Sequence, residues 1–283
     1  MMNFTVMKYF GCVFLFATLA SDSMLTLAVP NSGDDYQLVF SDEFNQEDYS
    51  RPDSSKWSVP PRANSTWSRW ISTSPDVAFI YNGHLVCRAI PNRELEKDTA
   101  VMLTGAVYSK NKFAFQYGKV EVRLRTNLYP GNFPAVWMGG MPQLPANLYG
   151  EIDIFESFGQ KRESNHNIHS ELTVKNRNHQ QRNSFRKSVS IDRWHIYGIE
   201  WSASKVVWYV DRIKVGEYLK SADELLLSKG QWTFDRPFYL LLNQSVGDGS
   251  HELVPDTTKT YETHFDWIRV YQKTRANDRQ HLL

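Results

Sequence analysis

The sequence predicts an all-β protein, built as a two-sheet antiparallel β-sandwich of the jelly-roll kind. Three observations carry that prediction. Short stretches of apolar–polar alternation recur along the chain and are cut by Gly, Pro, Asn and Asp, the pattern of half-buried strands joined by tight turns. Helical periodicity is nearly absent, so no helices alternate with the strands to cover a parallel sheet. Aromatic residues reach 14% of the 283, which excludes a disordered chain and supplies a core or groove rich in rings. The 32 basic and 31 acidic residues nearly cancel, so neither a nucleic-acid surface nor an acidic tail is indicated.

Taken in order, Lys8 precedes the apolar run Tyr9 to Ala20, and polar Ser21, Asp22 and Ser23 follow. That is the layout of a signal peptide over residues 1–20, too short for a membrane-spanning helix, with a second cleavage point after Ala28. Export to the periplasm, cell surface or medium is the expected destination. Residues 21–35 then read as a linker, 36–272 as one folded domain and 273–283 as a polar tail. Only Cys12 and Cys87 are present, so removal of the leader leaves one thiol and no internal disulfide. Cys87 lies in an alternating apolar stretch and is expected to be buried and inert.

The strand with the clearest pattern is Lys119 to Arg125, with Val120, Val122 and Leu124 on one face and four charged residues on the other. Further strands are expected at Val77 to Tyr81, Leu85 to Ile90, Met102 to Tyr108, Ala135 to Met138, Ile196 to Trp201, Val206 to Val210, Phe238 to Asn243 and Phe265 to Tyr271. Asp211-Arg212 between two apolar runs is a hairpin turn. Ser221 to Glu224, before three leucines, predicts a capping box and one short helix.

The chemistry is concentrated in Gly150-Glu-Ile-Asp-Ile-Phe-Glu-Ser157, where Glu151, Asp153 and Glu156 alternate with apolar residues on a strand. Glu151 and Asp153 share a face, and strict alternation puts Glu156 on the other. A β-bulge at Ile154 and Phe155 would return Glu156 to the acidic face and let both apolar residues enter the core. Crowded carboxylates repel, which can hold one protonated while a neighbour stays ionised: an acid and a nucleophile. A straight strand separates Cα151 from Cα156 by about 16 Å. Long side chains and a bulge could bring the carboxyls toward the roughly 5 Å of a retaining glycosidase. A Ca²⁺ site and a solvated acidic face are the other readings this pattern allows.

The pattern Glu-x-Asp-x-x-Glu, here Glu151, Asp153 and Glu156, resembles the active-site strand of glycoside hydrolase family 16, in its bulged, laminarinase-like form. The resemblance extends through Ser41 to Phe44, Asn82 to Val86, Tyr117 to Val122, Phe133 to Met138, Trp194 to Trp201, Trp208 to Asp211, Leu242 to Gly247 and Asp266 to Tyr271, almost the whole of the expected mature chain. It implies a concanavalin A-like sandwich and a retaining, endo-acting hydrolase, in which Glu151 is the nucleophile, Glu156 the general acid and base, and Asp153 the carboxylate that tunes them. All three acids are present, unlike in the family's non-catalytic recognition members, so a glycan-binding module is the weaker alternative.

A sugar presents C–H faces and polar rims, so its cleft needs flat aromatics among hydrogen-bonding groups. Trp67 and Trp70, with Asn64 and Arg69, offer that mixture in a loop-like segment, and Trp137 matches a family position beside the acidic strand. His169, Asn243 and Gln244 are further candidates for substrate contact. The resemblance also suggests a structural Ca²⁺ near Glu43, Gly83 and Asp266; no cofactor is needed for the chemistry. Two departures bear on the substrate. The family's usual Trp-Pro-Ala is Phe133-Pro-Ala, and its Asn-Leu-Ala-Val-Gly-Gly is Asn243-Gln-Ser-Val-Gly-Asp248. The expected substrate is β-1,3- or mixed β-1,3-1,4-glucan, with an endo-β-galactosidase acting on poly-N-acetyllactosamine, mucin O-glycans or algal galactans as the alternative. The partner is therefore a glycan, bound by a monomer with no transmembrane segment and no nucleic acid.

Overall fold

The computed structural model describes residues 36–143, 148–250 and 252–274. The proposed signal peptide and linker lie outside these residues. Among them the chain forms β1 (Tyr36–Asp42), β2 (Ala78–Tyr81), β3 (His84–Pro91), β4 (Met102–Tyr108), β5 (Gly118–Thr126), β6 (Asn132–Gly140) and β7 (Gly150–Glu156). After these come β8 (Glu163–Ser170), α1 (Glu171–Val174), β9 (Ser184–Ser188), β10 (His195–Trp201), β11 (Lys205–Val210), β12 (Ile213–Leu219), α2 (Glu224–Ser228), β13 (Phe238–Val246) and β14 (Tyr261–Lys273). One layer runs β12-β11-β10-β5-β14-β3, with β1 on β14 and β2 on β3. The other runs β4-β13-β6-β7-β8-β9, and the β3–β4 pair joins the two. The architecture is the all-β antiparallel sandwich that the alternation predicts.

The layers close on an apolar core. Val120, Val122 and Leu124 of β5 are fully buried, and each contributes about 1.5–3 kcal/mol by leaving water. They belong to one buried cluster with Phe155 of β7 and Tyr197 of β10, whose ring centroids lie 4.5 Å apart. Asp211 and Arg212 both adopt positive φ, 50° and 67°, as a two-residue hairpin turn requires. Asn82 and Gly83, at 52° and 70°, do the same between β2 and β3. Cys87 is buried, and burial pushes its thiol pKa up.

Three strands and one helix were not apparent in the pattern. Strand β8 buries Ser164 and His166 beside Ile168, a polar core face that conceals its alternation. Strand β9 offers one buried apolar residue, Phe185, and β1 exposes Leu38 and Val39. Helix α1 is a single turn capped by Ser170. The expected capping box at Ser221 is corrected: Asp223 caps α2 by accepting from the Leu225 N–H at 2.8 Å, while Ser221 Oγ accepts from Asp223. Lys273, assigned to the tail, pairs with Tyr36 as the last residue of β14. No helix among the described residues is long and apolar enough to cross a membrane.

Candidate active site

The bulge is where the alternation required it. Against β6, Phe155 pairs with Val136 and Asp153 with Trp137, leaving Ile154 unopposed. Against β8, Asp153 pairs with Asn167 and Glu156 with Asn165, so Ile154 and Phe155 together face His166. Both apolar residues are fully buried, and Glu156 returns to the face that carries Glu151 and Asp153.

An extra residue leaves backbone groups without ladder partners, and two side chains take them up. Trp208 Nε1 of β11 donates to the Asp153 carbonyl at 2.8 Å. His166 Nδ1 lies 2.7 Å from the Ile154 carbonyl, and its Nε2 is 2.9 Å from Ser164 Oγ. A carbonyl only accepts, so Nδ1 carries the proton. Burial pushes the His166 pKa down to about 4, leaving a neutral ring whose Nε2 accepts from the serine.

The acids occupy distinct settings. Glu151 Oε2 accepts from the Tyr149 hydroxyl at 2.6 Å, and Glu156 Oε2 accepts from Asn167 Nδ2. The Asp153 side chain is 3% exposed, and its Oδ2 has no hydrogen-bond partner. His169 Nε2 stands 3.4 Å from that oxygen and 3.9 Å from Glu151 Oε1. Burial, followed by the Asp153 charge, raises the Glu151 pKa to about 7. The same two causes, with Glu151 added, raise Glu156 well above the usual carboxylate range. Burial alone would lower His169; the adjoining Asp153 carboxylate and the charges of the other two acids prevail and raise it to about 9. The arrangement can therefore favour the neutral form of Glu156 and the charged form of His169, with Glu151 near its midpoint at neutral pH.

These groups line a cleft of about 580 Å³ across β6, β7 and β8. Trp67, Trp137, Phe133 and Phe158 supply aromatic walls, and Asn167, Lys161 and Arg186 supply polar contacts. Of the residues expected to touch substrate, Trp67, Trp137 and His169 line this cleft. Asn243 lies beneath it, fully buried, accepting from Trp137 Nε1 at 2.9 Å. Gln244 points the other way, into the core, where it donates to Asn132 and accepts from Thr263. Trp70 packs beside Met102, Val246 and Tyr261. Arg69 pairs with Asp248 at 3.1 Å, and exposed Asn64 lies with Arg69 at a separate shallow surface. Tyr149 and Asn167 were missed by the sequence reading. Asn167 is two residues from His169, so alternation would have found it had β8 been recognised.

The expected Ca²⁺ ligands are otherwise engaged. Glu43 is held by both arms of Arg269 at 2.9 and 2.8 Å, and Asp266 is paired with Arg123 and lies 3.5 Å from His84. A cation there would first have to displace a guanidinium, and Gly83 serves its turn. Among the described residues, a cluster with metal-like spacing is Glu151, Asp153 and His169, whose donor atoms lie within 4.8 Å of one another. A proton on His169 opposes a cation at that position.

A β-sandwich bearing paired carboxylates on a bulged strand, in an aromatic-lined cleft, has the architecture of a glycoside hydrolase. The chain belongs to glycosyl hydrolases family 16, whose model matches residues 76–269. It is 32% identical to a keratan-sulfate endo-1,4-beta-galactosidase from Sphingobacterium multivorum, over 84% of this chain and 56% of that protein. It is 29% identical to a beta-glucanase from Rhodothermus marinus, over 92% and 93% of the two chains. The chain thus spans little more than half the length of the first relative and nearly all of the second. Among solved structures it resembles SCLam, a non-specific endo-beta-1,3(4)-glucanase of family GH16, with a TM-score of 0.74 and 25% identity, covering 85% and 92% of the two chains.

Proposed function

We propose that this protein is a retaining, endo-acting β-glycosidase. The observation that carries the reading is the bulge at Ile154-Phe155, which delivers Glu151, Asp153 and Glu156 to one cleft face. Glu156, held protonated, gives its proton to the glycosidic oxygen as the bond to the anomeric carbon breaks. Glu151 attacks that carbon from the opposite side and forms a glycosyl-enzyme ester. Glu156, now a carboxylate, takes a proton from water, which displaces Glu151 and returns the anomeric centre to its β configuration. Buried Asp153 and partly exposed His169 stand 3.4 Å apart beside both acids and set the field in which they exchange roles.

The glucanase relative, matched over nearly its full length, supports β-1,3- or mixed β-1,3-1,4-glucan as substrate. A second reading, cleavage of internal β-galactosidic bonds in keratan-like or mucin-type chains, is favoured by the 32% identical relative and by the departures at Phe133 and Ser245. Release of new reducing ends should be measured on laminarin, barley mixed-linkage glucan, keratan sulfate and mucin O-glycans. Turnover on one of these, lost in Glu151→Ala with the fold intact, is the expected result; a fully active Glu151→Ala variant would refute it. Export of the protein is proposed on the apolar segment Tyr9 to Ala20 alone.

A further inference from the structure

Beyond the acids, the cleft contains a wall of two tryptophans whose support is unusually complete. Trp67 and Trp137 meet edge to face, with centroids 4.9 Å apart and planes at 79°. Hydrogen bonds close a ring behind them. Trp137 Nε1 donates to Asn243 Oδ1 at 2.9 Å, and Asn243 Nδ2 donates to Ser245 Oγ at 2.9 Å. The serine hydroxyl spends its one proton on the Trp67 carbonyl at 2.8 Å. A second tie grips the residues around Trp67. The Asp248 carboxylate, 3% exposed, accepts from Thr66 Oγ1 at 3.0 Å and pairs with Arg69 Nη2 at 3.1 Å. Segment 66–69 is thereby fastened at three points to the end of β13 and the turn after it. Ser245 and Asp248 are the positions where the family pattern has Ala and Gly, and neither of those residues carries a group able to make these bonds.

We infer that Ser245 and Asp248 are positioning residues that hold Trp67 against Trp137 as a preformed platform for the C–H face of a pyranose, and so set which β-linked glycan this cleft accepts. The inference rests on reading the cleft as a glycan site. Neither residue needs to touch the sugar. Their effect is to order the indole before binding, sparing the complex the cost of immobilising a free loop and ring.

The test combines steady-state kinetics on the preferred polysaccharide with calorimetric binding of its oligosaccharide, the latter in a Glu151→Gln background where nothing is turned over. Ser245→Ala should raise KM about three- to tenfold, the value of one hydrogen bond, with kcat within about twofold. Binding should weaken by the same factor. Trp67→Ala should weaken it at least as much, and adding Ser245→Ala to Trp67→Ala should cost nothing further, because the serine acts through the tryptophan. Asp248→Asn, which keeps the shape and removes the charge, should move KM in the same direction and remains informative if the buried serine variant misfolds. Unchanged KM and binding in both variants, or losses additive with Trp67→Ala, would overturn the inference. Binding without turnover in the unaltered protein would count against the hydrolase reading and leave this one to be judged by calorimetry. A protein that neither binds nor cleaves the glycans overturns both.

Discussion

Glu151 owes its behaviour to a balance that can be read atom by atom. Burial and Asp153 raise its pKa, while His169 and the Tyr149 hydroxyl pull it back, for a net position of about 7. A nucleophile must be ionised, so kcat/KM should fall on the acid side with a midpoint near pH 7, far above that of an ordinary carboxylate. Tyr149→Phe removes a donor that favours the charged form; its acid limb should move to higher pH while the alkaline limb, governed by Glu156, stays in place. A pH–rate profile of the two proteins checks both statements, and an acid limb near 4.5 in either would contradict them. The bond also divides the carboxylate's labour: Oε2 is occupied by Tyr149, which leaves Oε1 for attack. Tyr149 is itself fixed through its backbone, donating to Glu171 Oε2 and accepting from Thr233 Oγ1, both at 2.7 Å. These partners come from residues 22 and 84 positions away, so no local pattern could have announced them.

At the scale of elements, the bulged strand β7 depends on its neighbours to hold an irregular backbone. Trp208 reaches across the core to the Asp153 carbonyl and His166 holds the Ile154 carbonyl, so the bulge is locked from two strands. Trp208→Phe keeps most of the ring volume and abandons a buried acceptor. It should lower stability by about 1–3 kcal/mol in urea unfolding and reduce kcat, since the backbone that aims Glu156 is loosened. Loss of stability with kcat untouched would show that the bulge holds its aim without this bond. The bulge itself was legible, because three acids and an apolar doublet cannot be reconciled with strict alternation. Strand β8 was not, because Ser164 and His166 fill core positions where the pattern looks for apolar side chains. The assignment of Gln244 failed for a related reason: adjacent polar residues on β13 must face opposite ways, and only the pairing of β13 with β6 decides which lies beneath the cleft.

For the whole molecule, two sheets around a ring-filled core supply the rigidity that the cleft requires, with no disulfide among the described residues. Cys87 is buried and free. The melting temperature of the protein lacking its N-terminal segment should therefore be unchanged by dithiothreitol, and a thiol reagent should label it only after unfolding. A reductant-dependent melting temperature would reveal a covalent link this fold does not need. The alternation that predicted the sandwich reported this core directly, most clearly through Val120, Val122 and Leu124. The cleft was less legible, because its walls are assembled from segments as distant as Trp67 and Trp137. The most direct test of the assigned chemistry is azide rescue of the two glutamates on an activated aryl glycoside, with products assigned by NMR. Glu151→Ala with azide should give the α-glycosyl azide, because azide replaces the missing nucleophile and inverts the centre once. Glu156→Ala should give the β-glycosyl azide, because azide then displaces an intact glycosyl-enzyme. The opposite pair of products would assign the two acids the other way round and contradict the account.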